Sequence, residues 1–226
     1  MSKLILGTAQ FGQDYGIKHD GQPSVDEIRK IAKVAWDGGI RTIHTSWQYN
    51  FEHIDIFDDF NKIEKDREYP DVFHYKGMKG ISVYAKRGGT IPDIDIYQIP
   101  VNILDKRHLD FASFCKRWAV EKPNLEIHAR SVFLQGLLLM VELPDWLPQM
   151  VKLTIRCFHL VSKAEGREYY ESALGWVLGL DEVDKVIVGV NSAKQLEQLL
   201  AVKPFKWDLD FSIDDDMALD PRRWPR

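Results

Sequence analysis

The fold is decided by residues 4–45, whose sequence is LILGTAQFGQDYGIKHDGQPSVDEIRKIAKVAWDGGIRTIHT. Residues 4–8 form a short, mostly apolar run, which indicates a buried strand. Ser24 and Glu27 have the spacing of a capping box, and the apolar residues after them recur at helical intervals until a pair of glycines. Residues 41–45 are a second strand-like run. A strand, a helix and a strand joined by short loops form a βαβ unit, so this stretch predicts a parallel sheet.

The second half of the chain repeats this alternation. Predicted strands cover residues 94–101, 125–133 and 185–190, and predicted helices cover residues 109–120, 168–180 and 193–201. We therefore expect one α/β domain over residues 1–226, with no linker inside it.

The middle of the chain does not fit this regular spacing. Two further strand candidates, residues 71–75 and 78–84, are separated only by Lys76 and Gly77. A parallel crossover needs a dozen residues or more, so these strands cannot be parallel neighbours. Three readings stay open: one of the two is not a strand, they form an antiparallel pair, or they are one long bent strand.

The composition is that of an ordinary globular protein. The 226 residues are 45% hydrophobic and 28% charged, which excludes a disordered chain, collagen and a coiled-coil rod. The formal net charge is −4 and no face is obviously basic, so we expect no nucleic-acid partner.

We expect neither a membrane segment nor a metal site. The longest apolar run, residues 132–141, is far shorter than the ~20 residues of a membrane-spanning helix. Cys115 and Cys157 have neither metal-ligand nor disulfide spacing, and His108 and His128 are isolated in sequence. A reducing cytoplasm is the expected location.

Several motifs together resemble one enzyme family. They are LGTAQFG at residues 6–12, GISVY at 80–84, QIPVN at 98–102, RSVFLQGLL at 130–138, IVGVNS at 187–192 and DPRRW at 220–224. In this order they resemble the aldo-keto reductases, and in particular a bacterial branch often associated with surface-polysaccharide genes. The resemblance extends from near residue 4 to residue 224.

The resemblance implies a TIM-type (β/α) barrel. Because the middle of the chain is short, we expect a reduced barrel that lacks the third strand of the family and some outer helices. Such a barrel is either closed or open, and an open one would expose strand edges. A homodimer across the gap is one way to cover those edges.

The resemblance also implies a catalytic set. Members of the family transfer a hydride from NADPH to a carbonyl while a tyrosine phenol donates the proton, and Tyr49 matches that tyrosine. His44 stands where the family has an aspartate, and His74 is a remnant of the family histidine on the fourth strand. The family lysine lies on the third strand; Lys62 and Lys65 fall in the right stretch, but their surroundings are typical of a solvated charge run. Alternatively, His44, Tyr49 and His74 form a new proton relay.

The residues that match cofactor contacts of the family are better kept. They are Thr8, Ser82, Gln98, Arg130, Gly189, Asn191, Ser192 and Gln195. The asparagine that usually follows the serine is Val83 here, and only Lys194 could meet a 2′-phosphate. The expected cofactor is NADP or NAD, with the choice between them open.

Two functions remain open. One is an NAD(P)H-dependent reductase of a small carbonyl compound, an aldehyde or ketone of which a sugar derivative is one candidate. The other is a catalytically inactive relative that binds a nucleotide, a sugar or a protein partner. The retained tyrosine and cofactor motifs favour the first; the altered aspartate and the lysine expected to be lost favour the second.

Overall fold

The computed structural model describes residues 2–17, 21–68, 71–82, 94–118 and 125–225. Within these residues, the strands form one closed barrel in chain order. They are β1 (Leu4–Gly7), β2 (Thr42–Thr45), β3 (Asn61–Lys65), β4 (Val72–Tyr75), β5 (Met78–Ser82), β6 (Ile96–Pro100), β7 (Glu126–Arg130) and β8 (Lys185–Val188). The expected α/β barrel is confirmed.

The barrel is parallel except at one strand. β4 is antiparallel to both β3 and β5, and its Phe73 pairs with Gly80 across the ladder to β5. Lys76 and Gly77, which join β4 to β5, have φ values of 48° and 81°. Two successive residues with positive φ are typical of the type I′ turn of a tight β-hairpin. Of the three readings of this region, the antiparallel pair is the correct one.

One expectation about the barrel is wrong. A strand does occupy the third position, because β3 pairs with β2 in parallel, with Lys62 opposite Ile43. Of the two alternatives left open for the barrel, the closed one is correct. A hairpin strand needs no crossover helix, so β4 fills its place in the ring with few residues. Among the described residues, no helix lies between β3 and β5.

Helices cover the outside of the barrel and its two ends. They are α1 (Ala9–Gly12), α2 (Val25–Asp37), α3 (Leu109–Trp118), α4 (Gln149–Ala164), α5 (Tyr169–Leu178), α6 (Ala193–Ala201) and α7 (Asp216–Leu219). Segments of 3₁₀ helix lie at Trp47–Tyr49, Ile54–Phe57, Leu134–Leu139 and Pro221–Arg223, the third of them interrupted at Gln135 and Gly136. The Ser24 half of the predicted capping box is present in α2, because its hydroxyl accepts a hydrogen bond from the Glu27 amide at 3.3 Å, whereas the Glu27 carboxylate accepts from the Ala193 amide. Helix α4 was not anticipated from the sequence.

A small apolar layer fills the inside of the barrel. Ile5, Ile63, Phe73 and Ile96, from four different strands, pack together and are almost completely buried. Gly80 makes room for the Phe73 ring, because a Cβ atom at position 80 would overlap it. This layer lies below the open end of the barrel, where polar side chains replace apolar ones.

The closed barrel has no free strand edges, so the reason for expecting a homodimer is lost. The homodimer itself stays a prediction. Among the described residues, no helix combines the length and the apolar character that crossing a membrane requires.

Candidate active site at the carboxyl end of the barrel

A cavity of about 1190 Å³ opens at the carboxyl ends of the parallel strands. Its lining includes Gly7 of β1, Lys65 of β3, Pro100 of β6 and Arg130 of β7, together with Gly189 just after β8. Enzymes with (β/α)₈ barrels have their active sites at this end. The volume exceeds that of most small-molecule sites, so the cavity has room for an extended ligand.

Tyr49 is brought to the cavity by the loop after β2. It ends the 3₁₀ turn Trp47–Tyr49, which is capped by Ser46 through a bond from the Gln48 amide at 3.3 Å. Its half-buried side chain lines the cavity. Asn50, directly after it, has left-handed backbone with φ of 50°, and this ends the turn. The Tyr49 phenol is therefore held at the edge of the barrel by a short, capped segment.

Lys65 lines the cavity, although its sequence surroundings predicted a solvated charge run. Side chains alternate along β3: Lys62 points outward and bonds to Asp58 at 2.8 Å, whereas Ile63 is buried in the barrel. By the same alternation, Lys65 points inward, and it lines the cavity with Tyr49. The signal was the alternation of charged residues around Ile63, which indicates a strand with one polar face. The expected loss of a lysine on the third strand is therefore wrong.

His44 is buried in the floor of the cavity. It lies on β2 with 5% of its surface exposed. Burial, with smaller contributions from nearby Lys65, His128 and Arg130, lowers the pKa of His44 to about 3. The ring is therefore neutral at neutral pH. Its Nε2 atom is buried and has no hydrogen-bond partner among the described residues.

His74 does not join this group. It lies on the outward face of β4, its side chain is 61% exposed, and its Nε2 atom is 3.6 Å from a carboxylate oxygen of Asp66. Because β4 runs antiparallel to its neighbours, its residues do not end at the carboxyl face as those of a parallel fourth strand would. The structure thus brings together Tyr49 and His44, with Lys65, but places His74 outside the barrel.

A buried polar pair links β5 to β6 beside this group. The Ser82 hydroxyl donates a hydrogen bond to Gln98 Oε1 at 2.9 Å, and both residues are 1% exposed. Gln98 lines the cavity, and its Nε2 atom has no partner among the described residues. Such a donor needs an acceptor from a ligand or water, since leaving it unpaired costs about 1–3 kcal/mol. Val83, the next position in the motif, lies outside the described residues.

Thr8 closes the gap between β1 and β2 below the cavity. Its hydroxyl donates to Thr45 Oγ1 at 3.0 Å or to the His44 carbonyl oxygen at 3.3 Å, and its amide donates to the same carbonyl at 3.1 Å. Thr8 is fully buried and also lines the cavity. It therefore fixes the backbone that carries His44.

Comparisons with known proteins identify the architecture. No protein-family model matches the sequence, and no curated protein matches it. The structure is similar to a glycerol dehydrogenase from Gluconobacter oxydans, with a TM-score of 0.61 and 15% identity over 92% of this chain and 88% of that one. It is also similar to the holo form of an aldo-keto reductase from Bacillus halodurans, with a TM-score of 0.59 and 13% identity over 91% and 88%. A third similar structure is an aldo-keto reductase from a Medee basin deep-sea metagenome, with a TM-score of 0.54 and 14% identity over 92% of this chain and 88% of that one.

The chain has the aldo-keto reductase fold. The resemblance drawn from the sequence motifs is confirmed at this level. The similarity extends over nearly the whole of each chain, so the unusual antiparallel β4 is a local change within an otherwise retained aldo-keto reductase architecture.

Three of the five described non-glycine residues with positive φ lie in the loop after β7. Ser131, Leu134 and Gln135 have φ values of 60°, 48° and 52°, in the left-handed region that non-glycine residues rarely adopt. The Gln135 carbonyl accepts a hydrogen bond from the Ile17 amide at 2.9 Å, which ties this loop to the loop after β1. Strained backbone clusters at ligand-binding sites. Arg130, immediately before this loop, lines the cavity, and its guanidinium donates to Ser131 Oγ at 3.2 Å.

The far end of the cavity is formed by the segment between β8 and α6. Gly189, Asn191 and Gln195 line it, whereas Ser192 caps α6 and is not among the lining residues. Their roles as cofactor contacts stay predictions. The Asn191 amide donates to Gln195 Oε1 at 2.7 Å. The cavity thus runs from the Tyr49 group to the start of α6. Within the described part of the chain, no group of three or more His, Cys, Asp or Glu side chains could hold a metal ion.

Proposed function

We propose that this protein is an NAD(P)H-dependent oxidoreductase that reduces a carbonyl compound. The observation that carries the proposal is the convergence of Tyr49, Lys65 and His44 at one end of a cavity that also contains the unpaired amide of Gln98. A proton donor, a positive charge and a binding group for a nicotinamide are what such a reaction requires of the protein.

The proton would come from Tyr49. A phenol has an ordinary pKa near 10 and is a weak acid at neutral pH. A lysine ammonium beside it stabilises the phenolate that remains after the proton has gone to the substrate oxygen. We assign this role to Lys65, because it lines the same cavity as Tyr49 and its positive charge affects His44.

His44 takes the place of a carboxylate in this arrangement. A carboxylate would pair with Lys65 and weaken the field that the ammonium exerts on Tyr49, whereas a neutral imidazole does not. The buried Nε2 atom of His44 can exchange one hydrogen bond with Lys65 or with a ligand, but its lowered pKa makes it a poor proton donor. We therefore assign proton donation to Tyr49 alone and a binding or orienting role to His44.

The residues near Gln98 fit a nicotinamide. Gln98 Nε2 is a buried donor that would bond to the carboxamide oxygen, and Ser82 holds it in place by occupying Oε1. The planar guanidinium of Arg130 can stack on a ring. When bound, the reduced cofactor supplies the hydride that goes to the carbonyl carbon.

The substrate class is a small aldehyde or ketone, with polyol- or sugar-derived carbonyls as the first to test. One of the similar structures is a glycerol dehydrogenase, which makes small hydroxylated carbonyls reasonable candidates. The proposed location remains the cytoplasm.

A second candidate is a protein that binds a nucleotide without turnover. The observation favouring it is His44, because a neutral residue at this position departs from the family pattern. The two candidates differ in a single measurable property, the reduction of a carbonyl.

The deciding experiment combines cofactor titration with Tyr49→Phe. Quenching of the tryptophan fluorescence by NADH and NADPH should give saturable binding in the wild-type protein and in the variant. Reduction of a carbonyl panel should then fall by about 10²–10⁴-fold in Tyr49→Phe, since the proton donor is lost while the ring is kept. Tyr75→Phe is the matched control, because it removes the same hydroxyl from a tyrosine that is not among the residues lining the cavity. The Tyr75 hydroxyl lies on β4, 3.3 Å from that of Thr42.

Each outcome decides between the candidates. Binding with turnover that depends on Tyr49 supports the reductase. Turnover that survives Tyr49→Phe contradicts the mechanism, and binding without any turnover favours the second candidate. No binding of either dinucleotide at millimolar concentration rejects the reductase.

A further inference from the structure

The amides at the amino end of α6 are engaged within the chain itself. The Asn191 amide donates to Gln195 Oε1 at 2.7 Å, and the Gln195 amide donates to Ser192 Oγ at 3.2 Å. Asn191 and Gln195 also line the far end of the cavity. A phosphate that used either amide would first have to displace one of these bonds.

A carboxylate occupies the next amide of the same helix end. Ala193, the first residue of α6, donates its amide hydrogen bond to Glu27 Oε1 at 2.8 Å. This bond lowers the pKa of Glu27, so that the side chain is ionised at neutral pH. The positive end of a helix usually attracts a bound anion, and here it is already met by a negative side chain.

The position of Glu27 is set by helix packing rather than by a mobile loop. Glu27 lies in the first turn of α2, whose amino end is fixed by the Ser24 cap. At the other end of α2, Gly38 packs so closely on Leu200 of α6 that a Cβ atom at position 38 would overlap the leucine side chain. The two contacts hold α2 and α6 side by side, and the Glu27 side chain is only 27% exposed.

Two lysines of the described helices α2 and α6 stand near this carboxylate, and both are exposed. Lys30 Nζ lies 3.4 Å from Glu27 Oε2, one turn further along α2, and its side chain is 68% exposed. Lys194, in the first turn of α6, is exposed as well. A solvated lysine offsets only part of the repulsion between a fixed carboxylate and an incoming anion.

We propose that Glu27, which bonds to the Ala193 amide two residues from the cavity-lining Asn191, repels a phosphate on the adenosine ribose, so that the protein binds NADH in preference to NADPH. In barrels of this kind, the loops after the seventh and eighth strands and a nearby helix end form the usual phosphate site. A 2′-phosphate would bring further negative charge to a helix end that Glu27 has already neutralised. An unmodified ribose carries no such charge, so Glu27 does not repel it. The inference rests on the proposed function, since it requires a nicotinamide bound near Gln98.

Binding titrations of wild type, Glu27→Gln and Asp26→Asn test this inference without relying on turnover. In the wild type, the Kd for NADPH should exceed that for NADH by about tenfold or more. Glu27→Gln keeps an acceptor for the Ala193 amide but loses the charge, so it should bring the two values to within about threefold, mainly by tightening NADPH. Asp26→Asn removes the same charge one residue away, on a side chain that is 85% exposed and bonded to Arg29 at 3.0 Å, and should leave the ratio unchanged.

An ionic-strength series on the wild type gives a second readout that needs no variant. Salt screens repulsion between charges, so the preference for NADH should narrow as the salt concentration rises. Equal or tighter binding of NADPH in the wild type, or a ratio that Glu27→Gln or salt does not change, overturns the inference while leaving the proposed function intact. Binding of neither dinucleotide overturns both.

Discussion

Gly12 of α1 packs directly against the carbonyl oxygen of Tyr49. A Cβ atom at position 12 would overlap that oxygen and would lie 2.8 Å from the Phe51 amide nitrogen. Gly12, the second glycine of the LGTAQFG motif, therefore leaves room for the backbone of the loop after β2. It allows the segment that carries the Tyr49 phenol to approach the barrel closely.

Gly12→Ala should consequently displace Tyr49 rather than simply loosen the fold. We expect turnover to fall by about tenfold or more, because a misplacement of about 1 Å is enough to disrupt a reacting geometry. The free energy of unfolding should fall by about 1–3 kcal/mol, as is typical of overpacking. Urea unfolding and separate measurement of kcat and of the cofactor Kd check this, and the Kd should change little. A variant with wild-type kcat would show that the position of Tyr49 does not depend on Gly12.

Lys65 and Lys62 offer a matched test on one strand. Both carry the same charge on β3, but only Lys65 lines the cavity, while Lys62 pairs with Asp58 outside. Lys65→Met should lower kcat by about 10²-fold or more and move the alkaline limb of the pH–rate profile upward, because the phenolate of Tyr49 loses its stabilising charge. Lys62→Met should leave both unchanged within about twofold, since exposed ion pairs contribute little. Equal effects of the two substitutions would remove Lys65 from the mechanism.

His44 should make stability depend on pH in a specific window. Its pKa is about 3 in the folded chain and near 6.5 in the unfolded chain. Between these values the unfolded chain binds a proton that the folded chain does not, so the free energy of unfolding falls as the pH is lowered from about 6.5 to about 3. Above about pH 6.5 the contribution of His44 to the free energy of unfolding is fully present and no longer changes with pH.

Unfolding by urea at pH 7.5 and pH 5 compares the wild type with His44→Asn. The wild type should lose about 2 kcal/mol more than the variant over this range, because only it carries the buried imidazole. Carboxylates titrate in both proteins and cancel in the difference. Parallel curves for the two proteins would mean that His44 is readily protonated in the folded state.

Much of the fold could be predicted because its signals are local. The cap at Ser24, the helix at Ala193–Ala201 and the strands around Gln98 and Gly189 all follow from patterns within a dozen residues. Strand β3 has only a weak local signal, the alternation of charged residues around Ile63. Only Ile63 among its residues is apolar, and its polar face becomes meaningful once β2 lies beside it.

The site could be predicted only in part for the same reason. Gln98 belongs to a motif that is continuous in sequence, and Tyr49 closely follows the second predicted strand. The roles proposed for Lys65 and Glu27, by contrast, depend on contacts with distant elements, β2 in one case and α6 in the other. His74 illustrates the opposite error, since its place in the chain suggested a parallel fourth strand and the hairpin turned it outward.

The contact between Gly80 and Phe73 tests how the barrel closes. Gly80 faces Phe73 across the β4–β5 ladder, and a Cβ atom at position 80 would overlap three carbons of the ring. Gly80→Ala should therefore lower the free energy of unfolding by about 1–3 kcal/mol, the usual cost of overpacking a core.

The double variant Gly80→Ala with Phe73→Leu makes this test specific. A leucine leaves space for the added methyl group. The double variant should therefore lose less unfolding free energy than the two single variants together, by at least about 0.5–1 kcal/mol. If the two losses of unfolding free energy simply add, the Phe73 side chain does not pack against Gly80 inside the barrel. If they couple as expected, β4 fills the barrel from within, and the hairpin closes the barrel that holds Tyr49 and Lys65 with no helix between β3 and β5 among the described residues.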